Sequence, residues 1–128
     1  MKLKGHPSLN PEELKKTQTA IRYLQEHFTD PVSGYQLSEE VSLRHEKIQA
    51  GFRFLTGLAV HAYLIQYRIE RAKVDLEDFS LSIKQIAARN GFSTSSWFIY
   101  HFKAHTKQTP GQYREQWIIR NRSLPPCA

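Results

Sequence analysis

Cys127 is the only cysteine in this 128-residue chain, and it stands behind Pro125 and Pro126 near the C-terminus. A disulfide framework is therefore excluded, and a reducing compartment, the cytoplasm, is expected. Neither a basic helix context nor a partner base accompanies this thiol, so thiol catalysis has no support. The chain also lacks any apolar run near the roughly 20 residues of a membrane span, and no charged-then-apolar leader opens it. A soluble protein is expected. Strand-like alternation of useful length is missing too, and the β-branched residues are scattered. The expected fold is all-α. The length suffices for one compact domain or two very small ones sharing a core, and excludes a second full-sized domain.

Acidic residues all but disappear after Asp78. Up to that point 11 Lys/Arg balance 11 Asp/Glu, whereas Phe79 to Ala128 holds 7 basic residues against Glu115 alone, so the whole net charge of +6 sits in the C-terminal part. A basic half-domain attracts polyanions: DNA, RNA or an anionic membrane.

Helix signals are strong. Asn10 is a good N-cap, Pro11 suits the first helical position, Glu12 and Glu13 favour the positive end of the helix dipole, and Leu9 faces Leu14 as a hydrophobic staple. Leu14, Thr17, Ile21, Leu24 and Phe28 then recur at three- and four-residue spacing, predicting one buried stripe until Asp30-Pro31 ends the helix. Residues 60–76 predict a linker helix, a rod about 25 Å long, with Leu64 or Ile65, Ile69, Ala72 and Leu76 on one side. Ser82 and Gln85 form a capping box for a short helix that ends at Asn90-Gly91, and Ser93 or Thr94 caps the next.

The chain also repeats itself at an offset of about 50 residues. Leu37 matches Ile86, Leu43 matches Phe92, Ile48 matches Phe98, Phe52 matches Phe102, Arg53 matches Lys103, Thr56 matches Thr106 and Tyr63 matches Tyr113. The matched apolar positions are those a helix-turn-helix must bury: one in the first helix, one in the turn, and two four apart in the second helix. Two helix-turn-helix subdomains joined by a long helix are expected, with about seven helices in all. The boundaries fall at 1–10 (tail or linker), 11–59 (first subdomain), 60–78 (linker helix), 79–122 (second subdomain) and 123–128 (tail). With Phe98 and Phe102 inward, Ser95, Ser96, Ile99 and Lys103 fall on the opposite side of their helix, flanked by Tyr100, with Trp97 at the edge. In the first unit Glu46, Gln49 and Arg53 face outward, with His45 and Ala50 beside them. Bulky outward residues such as Ile99 and Tyr100 suggest a contact face, unless they pack on the tail helix around Trp117 and Ile118.

Ile83, Ile86, Ala87, Gly91, Phe92, Ser93, Trp97, Phe98, Phe102, Lys103, Thr109, Pro110, Tyr113 and Arg114 together resemble the C-terminal signature of the AraC/XylS family of bacterial transcription regulators. Arg68, Ile69 and Ala72 fit the joining helix of that family, and the resemblance covers roughly residues 10–114. Three residues depart from the pattern. Lys107 replaces a usual Gly, Arg44 stands where a Ser cap is usual, and Tyr100 stands where Arg is frequent.

The resemblance implies that the second helix of each unit enters the DNA major groove, in segments recurring at about 34 Å on one face of the duplex. Glu46, Gln49 and Ala50 in the first unit, and Ser95, Ser96, Ile99 and Tyr100 in the second, then become the base-contacting residues. Gln49 would bond adenine, Glu46 would accept from cytosine N4, and Ile99 or Ala50 would touch a thymine methyl. Arg53, Lys103 and Arg114 become the phosphate contacts. Duplex DNA is the expected partner, with RNA polymerase and, in a longer native chain, an N-terminal effector-binding or dimerisation domain as further ones. The exposed aromatics keep open a rival reading, a helical module for RNA or protein. An enzyme is not expected, and neither is a cofactor. His101 and His105 stand four apart, but no third ligand is near and the Glu of H-E-x-x-H is missing, so no metal site is expected.

Overall fold

Asn10 opens the first helix as its sequence predicts. Its side chain accepts from the Glu13 N–H at 2.8 Å while the Glu13 carboxylate accepts from the Asn10 N–H at 3.0 Å, a complete capping box. The computed structural model describes residues 9–122, in which seven helices follow one another: α1 (Pro11–Glu26), α2 (Gly34–Val41), α3 (His45–Thr56), α4 (Val60–Asp75), α5 (Ile83–Arg89), α6 (Ser95–Thr106) and α7 (Pro110–Arg122). The all-α expectation holds. Residues 1–8 and 123–128, including most of the expected tails and Cys127, lie outside the described residues. No single helix among the described residues is long and apolar enough to cross a membrane.

The chain divides into two units inside α4, the first reaching Tyr67 and the second starting at Arg68. In the first unit, Ala20, Leu24, Val32, Leu37, Leu43, Ile48, Phe52, Val60 and Leu64 form one buried cluster. Ile21 and Phe28, expected in the buried stripe of α1, pack at the margin of this cluster, while Ala20 takes the inner place. The end of α1 also differs from expectation. The helix stops at Glu26 rather than at Asp30, because the His27 N–H is shared between the Tyr23 and Leu24 carbonyls and its ring turns back onto Tyr23, centroids 4.0 Å apart. Lys47 of α3 reaches Glu13 of α1 at 2.6 Å, and this hydrogen bond, with that from the Asn10 N–H, holds the Glu13 carboxyl below its usual range.

In the second unit Ile69, Ala72, Leu76, Ile86, Ala87, Phe92, Phe98 and Phe102 are buried. The Ser82/Gln85 capping box is present. At the other end of α5, Gly91 adopts φ 87° while the Phe92 N–H reaches the Ala87 carbonyl and the Gly91 N–H the Ala88 carbonyl, a Schellman closure. Thr94 rather than Ser93 caps α6, accepting from the Trp97 N–H at 3.1 Å. α4 is thus more than a spacer. Val60 and Leu64 are buried in the first unit and Ile69, Ala72 and Leu76 in the second.

The internal repeat has a counterpart in atomic detail. The Thr56 hydroxyl lies 2.6 Å from the Phe52 carbonyl and accepts from the Leu58 N–H at 3.1 Å, and Thr106 does the same with Phe102 at 2.8 Å and Gln108 at 3.2 Å. Phe52 meets the edge of Tyr63 with centroids 5.7 Å apart, and Phe102 meets Tyr113 at 5.5 Å. Both second helices end on a left-handed residue, Gly57 at φ 82° and Lys107 at φ 68°. A side chain is strained there, so Lys107→Gly is expected to stabilise the protein by about 1 kcal/mol. A urea titration would show it, and a midpoint that does not rise would refute it.

Candidate nucleic-acid interface

The inner faces of α3 and α6 leave a well-defined remainder. Ile48, Gly51 and Phe52 are buried in α3, so Glu46 and Arg53 are exposed and Ala50 is half-buried. Phe98 and Phe102 are fully buried in α6, which turns Ser96, Ile99, Tyr100 and Lys103 to solvent and leaves Ser95 half-buried. Ile99 is 39% exposed and Tyr100 64% exposed. Packing on the tail helix does not cover them. Trp117 of α7 turns instead to Phe79, ring centroids 5.7 Å apart. Trp97, 53% exposed, stacks on His101 at 5.2 Å and meets Tyr100 edge-on at 5.9 Å, so three rings line one border of this face.

Charge differs between the two faces. The α6 segment SSWFIYHFKAHT carries no carboxylate, and Lys103 and, at its end, Lys107 are exposed. On α3, Glu46 lies 3.7 Å from Arg44, with both side chains over three-quarters exposed, so solvent screens the pair. At the N-terminus of α3, Arg44 takes extended backbone at φ −61°, ψ 147° and gives no side-chain cap, while its carbonyl accepts from the Lys47 and Ile48 N–H groups. Tyr35 of α2, 69% exposed, covers the start of this helix by stacking on His45, centroids 3.8 Å apart and planes 4° from parallel. The periodicity of α3 carried no sign of Tyr35, because the ring arrives from another helix.

Two residues expected to touch DNA are engaged inside their own units. Gln49 Oε1 accepts from the Val60 N–H at 3.0 Å, and its Nε2 lies 3.2 Å from His45 Nε2. Arg114 donates from Nε to the Leu76 carbonyl at 3.0 Å and from Nη2 to the Asp78 and Leu81 carbonyls at 3.1 and 2.8 Å. Its guanidinium also sits 5.5 Å from the Phe79 ring centre. This side chain fastens the turn after α4 onto α7. Among the described residues no three His, Cys, Asp or Glu side chains gather as a metal site would require.

Two copies of one helical unit, each with the inner face of its second helix buried and exposed side chains on the opposite face, define a tandem helix-turn-helix protein. The helix-turn-helix domain family matches residues 37–116. An uncharacterised HTH-type transcriptional regulator of Staphylococcus aureus is 37% identical over 99 residues, which cover 77% of this chain and 13% of that relative. The chain therefore spans only a small part of such relatives. Among solved structures, an AraC-type transcriptional regulator from Chromobacterium violaceum superposes with a TM-score of 0.75 at 25% identity, over 91% of this chain and 99% of that one. The DNA-binding domain of AdpA, solved in complex with a target DNA, has the same fold, with a TM-score of 0.78 at 24% identity over 85% and 98% of the two chains. This chain belongs to the AraC-type family of helix-turn-helix transcriptional regulators.

Proposed function

We propose that the chain is the sequence-specific, duplex-DNA-binding part of a bacterial transcription regulator, with α3 and α6 entering adjacent major-groove segments. The observation that carries this reading is the repeated outer face: Glu46 and Arg53 on α3, and Ser96, Ile99, Tyr100 and Lys103 on α6, stand exposed opposite the buried pairs Ile48/Phe52 and Phe98/Phe102, with apolar and polar side chains of base-reading type. A groove about 12 Å wide accepts such a helix. Ser95, Ser96, Ile99 and Tyr100 read bases in the second unit: Ile99 meets a thymine methyl, and the serine hydroxyls and the Tyr100 phenol bond to base edges. Glu46 and Ala50 do so in the first. Arg53 and Lys103 hold phosphates, while Arg114 serves the fold.

The protein acts without catalysis, in the bacterial cytoplasm where the chromosome lies. RNA polymerase and an N-terminal effector-binding or dimerisation domain are the further partners we propose, in keeping with relatives far longer than this chain. Selection from a random duplex library followed by footprinting tests the reading. Two protected segments per protomer are expected, with duplex preferred over single-stranded RNA. Equal affinity for the RNA, or one protected segment, would count against it.

The charge distribution adds a quantitative expectation. With all of the net positive charge downstream of Asp78, the second unit supplies most of the phosphate attraction. Lys103→Ala should lower the slope of log affinity against log salt by about 0.9, the loss of one phosphate contact. Arg53→Ala should change it less, because Glu46 already offsets charge on that face. The reverse order would contradict the asymmetry.

A further inference from the structure

Each unit has to satisfy the start of the helix that follows its recognition helix, because the first N–H groups of any helix have no partner within it. The two units do this differently. α7 begins with Pro110, which has no N–H, and Thr109 before it forms a capping box with Gln112, accepting from the Gln112 N–H at 3.1 Å and donating its own N–H at 2.9 Å. α4 begins with Val60, which has an N–H, behind Ala59, whose methyl cannot cap anything. The acceptor for Val60 comes from eleven residues upstream, the Gln49 side-chain oxygen at 3.0 Å.

In the repeat, Gln49 corresponds to Ile99 and Val60 to Pro110. The unit that needs an acceptor has Gln, and the unit that needs none has Ile. The other end of the Gln49 amide is enclosed as well. Its Nε2 lies 3.2 Å from His45 Nε2, which accepts when the imidazole proton is on Nδ1. A Cβ added to the buried Gly34 would come within 2.7 Å of Gln49 Nε2 and 2.8 Å of His45 Nε2. Gly34 thus leaves the space in which this pair sits. Tyr35 stacks on the His45 ring and holds its plane.

We propose that Gln49 is a positioning residue. Its amide ties the middle of recognition helix α3 to the first turn of α4, and base selectivity in the first unit is carried by the exposed Glu46 and the half-buried Ala50 instead. A bidentate contact with adenine would require both amide atoms, and within the unit the oxygen already accepts from the Val60 N–H while the nitrogen lies 3.2 Å from His45 Nε2. The proposal rests on the DNA-binding reading only for its statement about selectivity. The tie itself is a property of the folded chain.

The test imports the second unit's solution into the first. Gln49→Ile alone leaves the Val60 N–H without an acceptor and should shift the unfolding equilibrium by about tenfold toward the unfolded chain. The pair Gln49→Ile/Val60→Pro removes donor and acceptor together, and should return to within about twofold of the parent protein. Selection from a random duplex library should then yield the same preferred site for the pair as for the parent. A double variant that is stable but has lost preference at one base would make Gln49 a reader and overturn the proposal. A double variant no more stable than Gln49→Ile would remove the tie. Gln49→Glu, which keeps an acceptor oxygen and loses the amide donor, should fold and keep the same base preference; loss of preference at an adenine would likewise overturn it. If the parent selects no duplex sequence, the DNA-binding reading fails and the selectivity statement with it. The unfolding data then decide the tie on their own.

Discussion

Phe102→Ala is expected to destabilise the protein by about 3–5 kcal/mol, a large part of the 5–15 kcal/mol by which a small domain is ordinarily stable. The Phe102 side chain is fully buried. Its ring meets Phe98 edge-on at 5.6 Å and Tyr113 at 5.5 Å, so one truncation unpacks α6 from itself and from α7. The Phe102 carbonyl also receives the Thr106 hydroxyl at 2.8 Å, and that bond depends on the α6 C-terminus keeping its place. Urea denaturation measures the loss. Hydrogen exchange should lose protection in α5 to α7 before it does in α1 to α3, since the first unit has its own apolar cluster. A loss under about 1 kcal/mol would mean that Phe102 is not the keystone its burial implies.

The second expectation runs against helix propensity. Alanine in place of a mid-helix glycine ordinarily gains about 1 kcal/mol, yet Gly51→Ala should cost about 1–3 kcal/mol net. A Cβ at residue 51 would lie inside contact distance of Thr17 Oγ1 and 2.7 Å from its Cγ2. Thr17 cannot easily yield, being fully buried in α1 with its hydroxyl donating to the Glu13 carbonyl at 2.9 Å. The clash would push α1 off α3 and strain the Glu13 to Lys47 ion pair that joins them. Adding Thr17→Ala removes both clashing atoms and should recover part of the loss. A Gly51→Ala protein more stable than its parent would show that the two helices separate freely there.

Much of this molecule could be read before its structure was known, and the readable parts share a cause. The capping boxes at Asn10/Glu13 and Ser82/Gln85 span three residues, so the side chain that makes each bond is fixed by its neighbours in the chain. The inward pair Phe98 and Phe102, and the bare face opposite, follow from a period of 3.6 residues and from the match to Ile48 and Phe52. Gly91 at the end of α5 is legible for the same reason, because its left-handed backbone closes bonds to Ala87 and Ala88 close by.

Two residues whose duties escaped that reading, Arg114 and Gln49, act across distance in the chain. The charge of Arg114 is evident in the sequence and its partners are not: the carbonyls it binds lie 33 to 38 residues earlier. Gln49 sits at an outward helix position, and only the approach of Val60, Gly34 and His45 shows that its amide is engaged. The early stop of α1 depends on a ring turning back to Tyr23, which competes with one more helical turn by a margin that propensities do not resolve. By itself, then, the sequence determined an all-α fold, the capping of α1 and α5 and the buried pair of α6, which are set by neighbours one or two helical turns away, and also the duplication, which shows as matched residues about 50 apart. Only the tertiary structure decided which polar side chains are left for a ligand, because a donor's availability depends on every acceptor the fold brings within 3 Å of it.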